Sequence, residues 1–414
     1  MRIAVIGSGI SGMLSAYLLC QDHDVVVFEA NDYIGGHTNT IDVELNGANH
    51  RVDTGFIVFN KENYPNFVKL MELLGVSCQP SNMSFSVQCE RTGLEYCPST
   101  LNALFAQRRN LLRPSFYRML LDAFRFRREA QEILRANDYE ITLGAYLEEK
   151  GYSHPFIHHF IIPMGAAIWS ADPKQFKEFP AHSFVQFFNN HGFLKVKDQP
   201  QWQVIKGGSR SYVEPLTRPY RDKVRLNSPV ESIKRHADYV EVRPRPGEVE
   251  SFDQVVIAAH SDQALAMLAD PSDAERDILE AIPYQENLTI LHTDSSLLPQ
   301  RRGAWASWNY HIPREELGRA ALTYYMNMLQ SLTSPIDFCV TLNQPDIIDR
   351  TKIIREFNYH HPVYTPQGPM AQKRRQEIDG VNRTYFCGAY WGYGFHEDGV
   401  NSALAVCEHF GKSL

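Results

Sequence analysis

Residues 2–12 read Arg-Ile-Ala-Val-Ile-Gly-Ser-Gly-Ile-Ser-Gly, and the fold turns on how this stretch is interpreted. Ile3 to Ile6 is a short apolar run stopped by a glycine, the pattern of a strand buried on both faces in a parallel sheet. Gly7-Ser8-Gly9-Ile10-Ser11-Gly12 then fits G-x-G-x-x-G, and Met13, Leu14, Ala16, Tyr17 and Leu18 continue as an apolar helix. Gly7 permits the tight turn, Gly9 lets the backbone approach a pyrophosphate, and Gly12 allows close packing of helix on strand. Ile10 and Ser11 open the helix, where free N–H groups and the dipole favour phosphate. A second strand, Val25 to Phe28, ends in Glu29, 22 residues after Gly7, where a carboxylate can accept ribose hydroxyls. An acid there opposes a 2′-phosphate, so FAD or NAD is expected rather than NADP.

Downstream, Glu29-Ala30-Asn31-Asp32-Tyr33-Ile34-Gly35-Gly36-His37-Thr38 brings a second glycine turn with no second long helix. A strand-like run from Thr40 to Leu45 leads through Asn46-Gly47 to Asp53-Thr54-Gly55-Phe56-Ile57. On these residues the chain resembles the flavin amine oxidase superfamily, which includes amine oxidases, protoporphyrinogen oxidase and carotenoid desaturases. The family motif E-A-x-x-x-x-G-G-R is matched except that His37 replaces the arginine. Asp53-Thr54-Gly55 matches its D-x-G, and Lys206-Gly207-Gly208-Ser209 resembles its return segment. The stretch from Val224 to Val256 resembles the strands that lay a valine, here Val230, over the adenine. The last segment, Thr384-Tyr385-Phe386-Cys387, Gly388-Ala389, then Asp398-Gly399-Val400, resembles the strand, loop and helix start that meet the flavin. More narrowly, Gly388 to Gly399 resembles a bacterial group of FAD/NAD-binding oxidoreductases of undefined substrate.

The resemblance implies an α/β fold and FAD as cofactor. A Rossmann-like, glutathione-reductase-like FAD-binding domain would assemble from residues 1–75, 200–270 and 380–414. Residues 76–199 and 271–379 would form a mixed α+β substrate domain, the first insert helical and the second carrying strands at Thr289–Thr293 and Ala321–Met326. The C-terminal segment would fold back beside the N-terminal glycine loop. Gly7, Gly9, Ile10, Ser11 and Gly12, then Glu29, Ala30, Gly35, Gly36, His37 and Thr38 would bind the cofactor. Gly55, Phe56, Ile57, Val230, Gly388, Ala389, Asp398, Gly399 and Val400 would complete its site.

Many amine oxidases carry a lysine on a substrate-domain strand near the flavin. The candidate strand here, Asn287 to Asp294, has none; its nearest substitutes, Asn287 and His292, are also compatible with a place on the surface. Tyr390, Trp391, Tyr393 and Phe395 either wall an apolar pocket or pack the core. His396, Glu397 and Tyr393 are the candidates for contact with substrate. The expectation is an FAD-dependent oxidoreductase that oxidises, desaturates or isomerises an apolar, fatty-acyl or polyenoid small molecule by hydride transfer to the flavin. An amine oxidase lacking the usual lysine and a non-catalytic flavin-binding protein are the alternatives. Cys387 or a histidine is the candidate point for a covalent flavin link.

At 414 residues the chain is long enough for two or three domains, and a net charge of −7 offers no global attraction to nucleic acid. Seven cysteines without a CxxC pair suggest reduced thiols and a cytoplasmic setting. The glycines within Ile3–Cys20 argue against a signal peptide, and no run of 18 apolar residues predicts a spanning helix. His154, His158 and His159 lack a carboxylate or cysteine at ligand spacing, so no metal is expected. Residues 107–135 hold eight arginines interleaved with apolar residues. A domain helix with a solvated basic face and a helix lying on the inner membrane face are both compatible with that pattern.

Overall fold

Ile3, Ala4 and Val5 have no accessible surface, because the strand Arg2–Ile6 has neighbours on both edges and covers on both faces. The computed structural model describes residues 1–136, 140–194, 199–315 and 317–414. In it, Arg2–Ile6 lies at the centre of a five-stranded sheet ordered Val224–Arg225, Asp24–Phe28, Arg2–Ile6, Gln254–Ile257, Thr384–Phe386. All four pairings are parallel. Three stretches remote in the chain thus share one sheet. The helix Ile10–Leu19 covers one face together with the last helix, His396–Glu408. On the other face an antiparallel three-stranded sheet, Val230–Arg235, Val240–Pro244 and Glu250–Phe252, sets Phe252 edge-on against Phe28.

The second large sheet has seven strands, in the order Ile353–Pro362, Tyr284–His292, Cys339–Leu342, Leu322–Tyr325, Trp308–Ile312, Phe85–Cys89, Leu94–Tyr96. The expected strands at 289–293 and 321–326 occur there, the first one extended back to Tyr284. The first insert is not wholly helical. Phe85–Cys89 and Leu94–Tyr96 join this sheet at its edge, and Phe85–Cys89 runs parallel to Trp308–Ile312. Strands of five and three residues carry too little periodicity to be seen alone, and a partner more than 200 residues away joins Phe85–Cys89, with its hairpin neighbour Leu94–Tyr96, to the sheet.

The rest of the first insert is helical. Pro114–Ala136 and Ala181–Asn190 pack together over a core rich in phenylalanine, beside a π-helical turn at Ile157–Ile161. All seven cysteines are free thiols. Among the described residues no helix is long and apolar enough to cross a membrane.

Candidate active site

The glycine loop divides into positions with no room and one position with room. Gly7 has φ +99°, and a Cβ there would lie 2.6 Å from the Ala258 carbonyl oxygen. At Gly12 a Cβ would come within 2.0 Å of the Gly7 carbonyl oxygen. The first helix is therefore pressed onto the strand ends by the absence of side chains. Gly9 is the opposite case, with no atom within 4 Å of its would-be Cβ. That open space lies at the N-terminus of Ile10–Leu19, which has no side-chain cap and no acid in its first turn. Its first N–H groups, at Ile10 and Ser11 among others, are left without an intrahelical partner. The second glycine turn closes from the other side: a Cβ on Gly36 would stand 3.2 Å from the Gly9 Cα, and one on Gly35 would strike the Thr38 carbonyl. Gly55 and Phe56 seal against His37, whose carbonyl accepts the Phe56 N–H at 2.7 Å.

Glu29 is buried beside this loop. Its carboxylate accepts Ser8 N at 2.9 Å, Ser8 Oγ at 2.5 Å, Asn31 N at 2.9 Å and Asn31 Nδ2 at 2.8 Å. A carboxylate offers about four acceptor positions, so a ribose hydroxyl would bind here by sharing or displacing the Asn31 amide. Ala30 is exposed just beyond the strand. Val230 opens the three-stranded sheet and packs against the core on its side. Ile57 faces the core beneath the seven-stranded sheet, with Val204 and Leu291, rather than the glycine loop.

The last helix meets the first at their N-termini. Ser11 Oγ donates to the Gly399 carbonyl at 2.9 Å, and a Cβ on Gly399 would lie 2.8 Å from Ile10 Cγ2. Val400 is buried in the same seam. The Gly388 N–H donates to Ser402 Oγ at 2.9 Å, which holds the Gly388–Ala389 turn on this helix.

Several acids and bases expected at the site have other work. Asp398 accepts Tyr393 N at 3.0 Å and Phe395 N at 2.9 Å, capping its own helix, and burial pushes its pKa up to about 7. Glu397 accepts Asn66 N at 3.0 Å and Phe67 N at 2.8 Å, capping the helix Pro65–Leu73. His396 is buried and stacked on Phe56, with Nε2 3.1 Å from Thr38 Oγ1 and 3.0 Å from Tyr212 OH. Burial holds it neutral. Glu397 and His396 are thus structural ties between the last helix and the second glycine turn, not groups presented to a substrate. Cys387 packs against Ser15 in the core and burial pushes its thiol up to about 12, which gives it no nucleophilic character.

A seam of histidines runs where the two large sheets meet. The His37 ring is 4.9 Å from Tyr359, 5.3 Å from His361 and 6.4 Å from His260. His37, His260 and His361 are half-buried and Tyr359 is buried among them. Burial, then the mutual repulsion of the cluster, lowers His37 to about 4 and both His260 and His361 to about 3. His37 Nε2 has no partner within the protein. Asn287 is fully buried here, contrary to a surface location: its Nδ2 donates to His361 Nδ1 at 2.9 Å and its Oδ1 accepts Asn343 Nδ2 at 2.8 Å. His292 is buried too but points elsewhere, 2.7 Å from Thr341 Oγ1 and accepting the Asp294 N–H. His260 and His361 were not among the sequence candidates. The pairing of Tyr284–His292 with Ile353–Pro362, which sets Gln285 opposite His361, brings His361 in, and His260, just beyond Gln254–Ile257, stacks on Tyr284 at 4.1 Å.

The aromatic residues of the last loop separate. Tyr390 and Trp391 pack the core on the side of Phe386. Tyr393 and Phe395 join a wall from the first insert, at 5.7 and 5.1 Å from Phe187, and Trp169 Nε1 donates to the Tyr393 carbonyl at 3.2 Å.

FAD suits this donor set. The open space at Gly9 with its free helix N-terminus would take a pyrophosphate, Glu29 a ribose, and the unpartnered His37 Nε2 another polar edge. The comparisons agree. A sequence model of the flavin-containing amine oxidoreductases matches residues 10–296. Three solved structures superpose over 99% of this chain. They are a CLA-producing fatty acid isomerase from P. acnes (17% identical, TM-score 0.71, 98% of that chain covered), cyclohexylamine oxidase from Brevibacterium oxydans (18%, 0.67, 99%) and a putative protoporphyrinogen oxidase from Exiguobacterium (15%, 0.68, 98%). A short stretch of 59 residues is 37% identical to an uncharacterised protein of Methanocaldococcus jannaschii, and it spans 13% of this chain and 15% of that protein. The chain belongs to the flavin-containing amine oxidoreductase family and is an FAD-dependent oxidoreductase.

Proposed function

We propose that the protein oxidises, desaturates or isomerises a neutral, apolar substrate of the fatty-acyl or polyenoid class. One observation carries this: the wall formed by Tyr393, Phe395, Trp169 and Phe187 is aromatic, and the titratable groups at the seam, His37, His260 and His361, are neutral. A protonated amine entering such a place loses its hydration and gains no counter-charge. The carboxyl groups that could have served, Glu397 and Asp398, are engaged as caps. The likeness in fold to a fatty acid isomerase is in keeping with this substrate class.

The bound flavin supplies the hydride acceptor. The protein's part is to orient a carbon against it and keep water out. The aromatic wall does both, since its rings are large, stiff and without charge. Asn287 lies on the strand that, by the resemblance, would carry the lysine of many amine oxidases, and His361 lies on the strand paired with it. The Asn287 amide donates to His361 Nδ1, which leaves the proton on Nε2 and makes that atom a neutral donor.

Amine oxidation is the second possibility, favoured by the family itself and by the cyclohexylamine and putrescine oxidases of the same fold. Aromatic side chains can also hold an ammonium group. Anaerobic mixing of the yellow holoprotein with a long-chain polyunsaturated fatty acid, and separately with cyclohexylamine and putrescine, decides between them. Bleaching of the flavin or a shift of the double bonds with the fatty acid, and no change with the amines, is expected. Rapid bleaching by the amines alone would sink the proposal.

A further inference from the structure

The helix Pro114–Ala136 is apolar on two faces, and only one of them is covered. Phe116, Met119, Phe126, Ala130 and Ile133 point into the core of the first insert. Tyr117, Leu121 and Phe124, spaced four and three apart, form a second stripe on the outside, at 40%, 65% and 62% exposure. The turn that precedes the helix adds Leu111 at 47% and Leu112 at 88%, and Leu101 stands out at 78%. Six of the fourteen exposed large hydrophobic side chains among the described residues therefore fall within 24 consecutive positions. A solvated basic face does not account for this, because it has no use for protruding leucines.

Charge tells what covers the stripe. Residues 108–135 carry eight arginines against Asp122, Glu129 and Glu132, a surplus of five in a chain whose net charge is −7. Arg118 and Arg128 flank the apolar stripe with side chains 57% and 81% exposed. A groove of about 380 Å³ runs along it, lined by Arg118, Leu121, Phe124 and Arg128 among others. A smaller one of about 140 Å³ carries Arg113 and Ser115 at the start of the helix. Apolar side chains that protrude between arginines match the layering of an anionic bilayer surface, with headgroup phosphates outside and acyl chains beneath.

We propose that residues 101–128 are a docking surface for an anionic phospholipid bilayer. Leu112, Leu121 and Phe124 enter the acyl boundary and the arginines engage the phosphates. The inner face of the same helix packs, through Phe126 and Phe184, on the aromatic cluster that contains Trp169 and continues to Phe395. The docking surface and the wall of the site thus share one body of packed rings. The inference stands independently of the substrate class, since a membrane-bound amine oxidase would dock the same way.

The test is sedimentation of the holoprotein with phosphatidylcholine vesicles, with and without a quarter of phosphatidylglycerol, at low salt and at high salt. Binding is expected with phosphatidylglycerol and low salt, and weakened by high salt. The pair Leu112→Ser and Phe124→Ser is expected to lower the affinity at least tenfold. Arg108→Gln and Arg128→Gln are each expected to lower it about fivefold, an arginine's share near such a surface. All four positions are on the outside, and retained yellow colour with an unchanged unfolding midpoint shows that a variant is folded. Absence of binding to anionic vesicles, or equal binding by the serine pair, would overturn the inference. So would a wild-type dimer that the serine pair turns into monomers, since the stripe would then belong to a second copy of the chain.

Discussion

The glycine loop and the aromatic wall of Tyr393, Phe395, Trp169 and Phe187 are held by different means. At the loop the backbone decides: Gly7, Gly12, Gly35 and Gly55 are places where a single Cβ would strike a carbonyl oxygen at 2.0–2.6 Å. At the wall and the histidine seam, side chains decide. Trp169, Phe187 and Phe395 meet at the wall, and His37 and His361 at the seam, each from a separate stretch and only when the two sheets and the first insert have packed. A loop fixed by sterics tolerates changes of medium and fails with one methyl group. A seam of neutral histidines tolerates conservative substitution and fails when it is charged.

Acid is expected to have the largest effect. His37, His191 and His292 at about 4, and His260 and His361 at about 3, lie below the ordinary histidine value near 6.5. The unfolded chain therefore takes up protons that the folded one refuses. The stability these groups contribute is complete above about pH 6.5 and is lost as pH falls toward their folded values. Asp53 and Asp398, raised to about 6 and about 7, and Glu397, raised by burial, work in the opposite direction over the same window, but the lowered histidines, which also include His158 at about 4 and the buried His396, outnumber them. Each net proton changes stability by about 1.4 kcal/mol per pH unit. Unfolding midpoints measured between pH 7.5 and 4.5 should fall steeply below 6.5. Flavin fluorescence should appear before helical signal is lost, because three of these histidines line the seam. Loss of helix first would mean that the seam is not the weak point.

Next comes Gly12→Ala, which puts a methyl group against the Gly7 carbonyl. We expect a loss of about 3 kcal/mol in urea unfolding of the flavin-free protein, from overpacking against backbone that cannot move aside. A stable Gly12→Ala protein would show that the loop has slack. Glu397→Ala should cost about 1–2 kcal/mol by leaving Asn66 N and Phe67 N without an acceptor. Its rate of flavin reduction, measured at saturating substrate, should stay near wild type. A large drop in that rate at unchanged stability would return Glu397 to the chemistry.

The smallest effect on stability is expected from Gly9→Ala, and it is the most discriminating. Nothing lies within 4 Å of its Cβ, so the flavin-free protein should unfold within error of wild type. Its affinity for added FAD, followed by fluorescence quenching, should nonetheless drop tenfold or more, because the methyl group occupies the approach to the helix N-terminus. Undiminished affinity would move the pyrophosphate away from Gly9.

The strand–glycine–helix–strand–acid order was legible because each part is local. Apolar runs, glycine spacing and an acid at a set distance need no knowledge of distant residues. The resemblance to a flavin family rested on the same kind of signal. The roles of His396, Glu397 and Asp398 were not legible. Their position beside the last glycines suggested substrate contact for His396 and Glu397 and a cofactor role for Asp398, whereas their partners, Thr38 with Tyr212, Asn66 with Phe67, and the loop's own N–H groups, make them ties and caps. A titratable side chain next to a motif carries the same letters in either case. The pair His360-His361 had no local signal at all, and its register against Tyr284–His292 gives it a place.

By itself, then, the sequence determined the strand–loop–helix–strand unit of the parallel sheet and its cofactor loop, because backbone sterics and short-range periodicity act over a few residues; the closing of the last helix on the first, 388 residues apart, was implied by the resemblance alone. The tertiary structure alone decided which histidines meet at the seam, which aromatic rings form the wall and which face of Pro114–Ala136 is left outside. Those depend on contacts between stretches 70 to more than 300 residues apart, and burial, which sets both charge state and exposure, is a property of the packed whole.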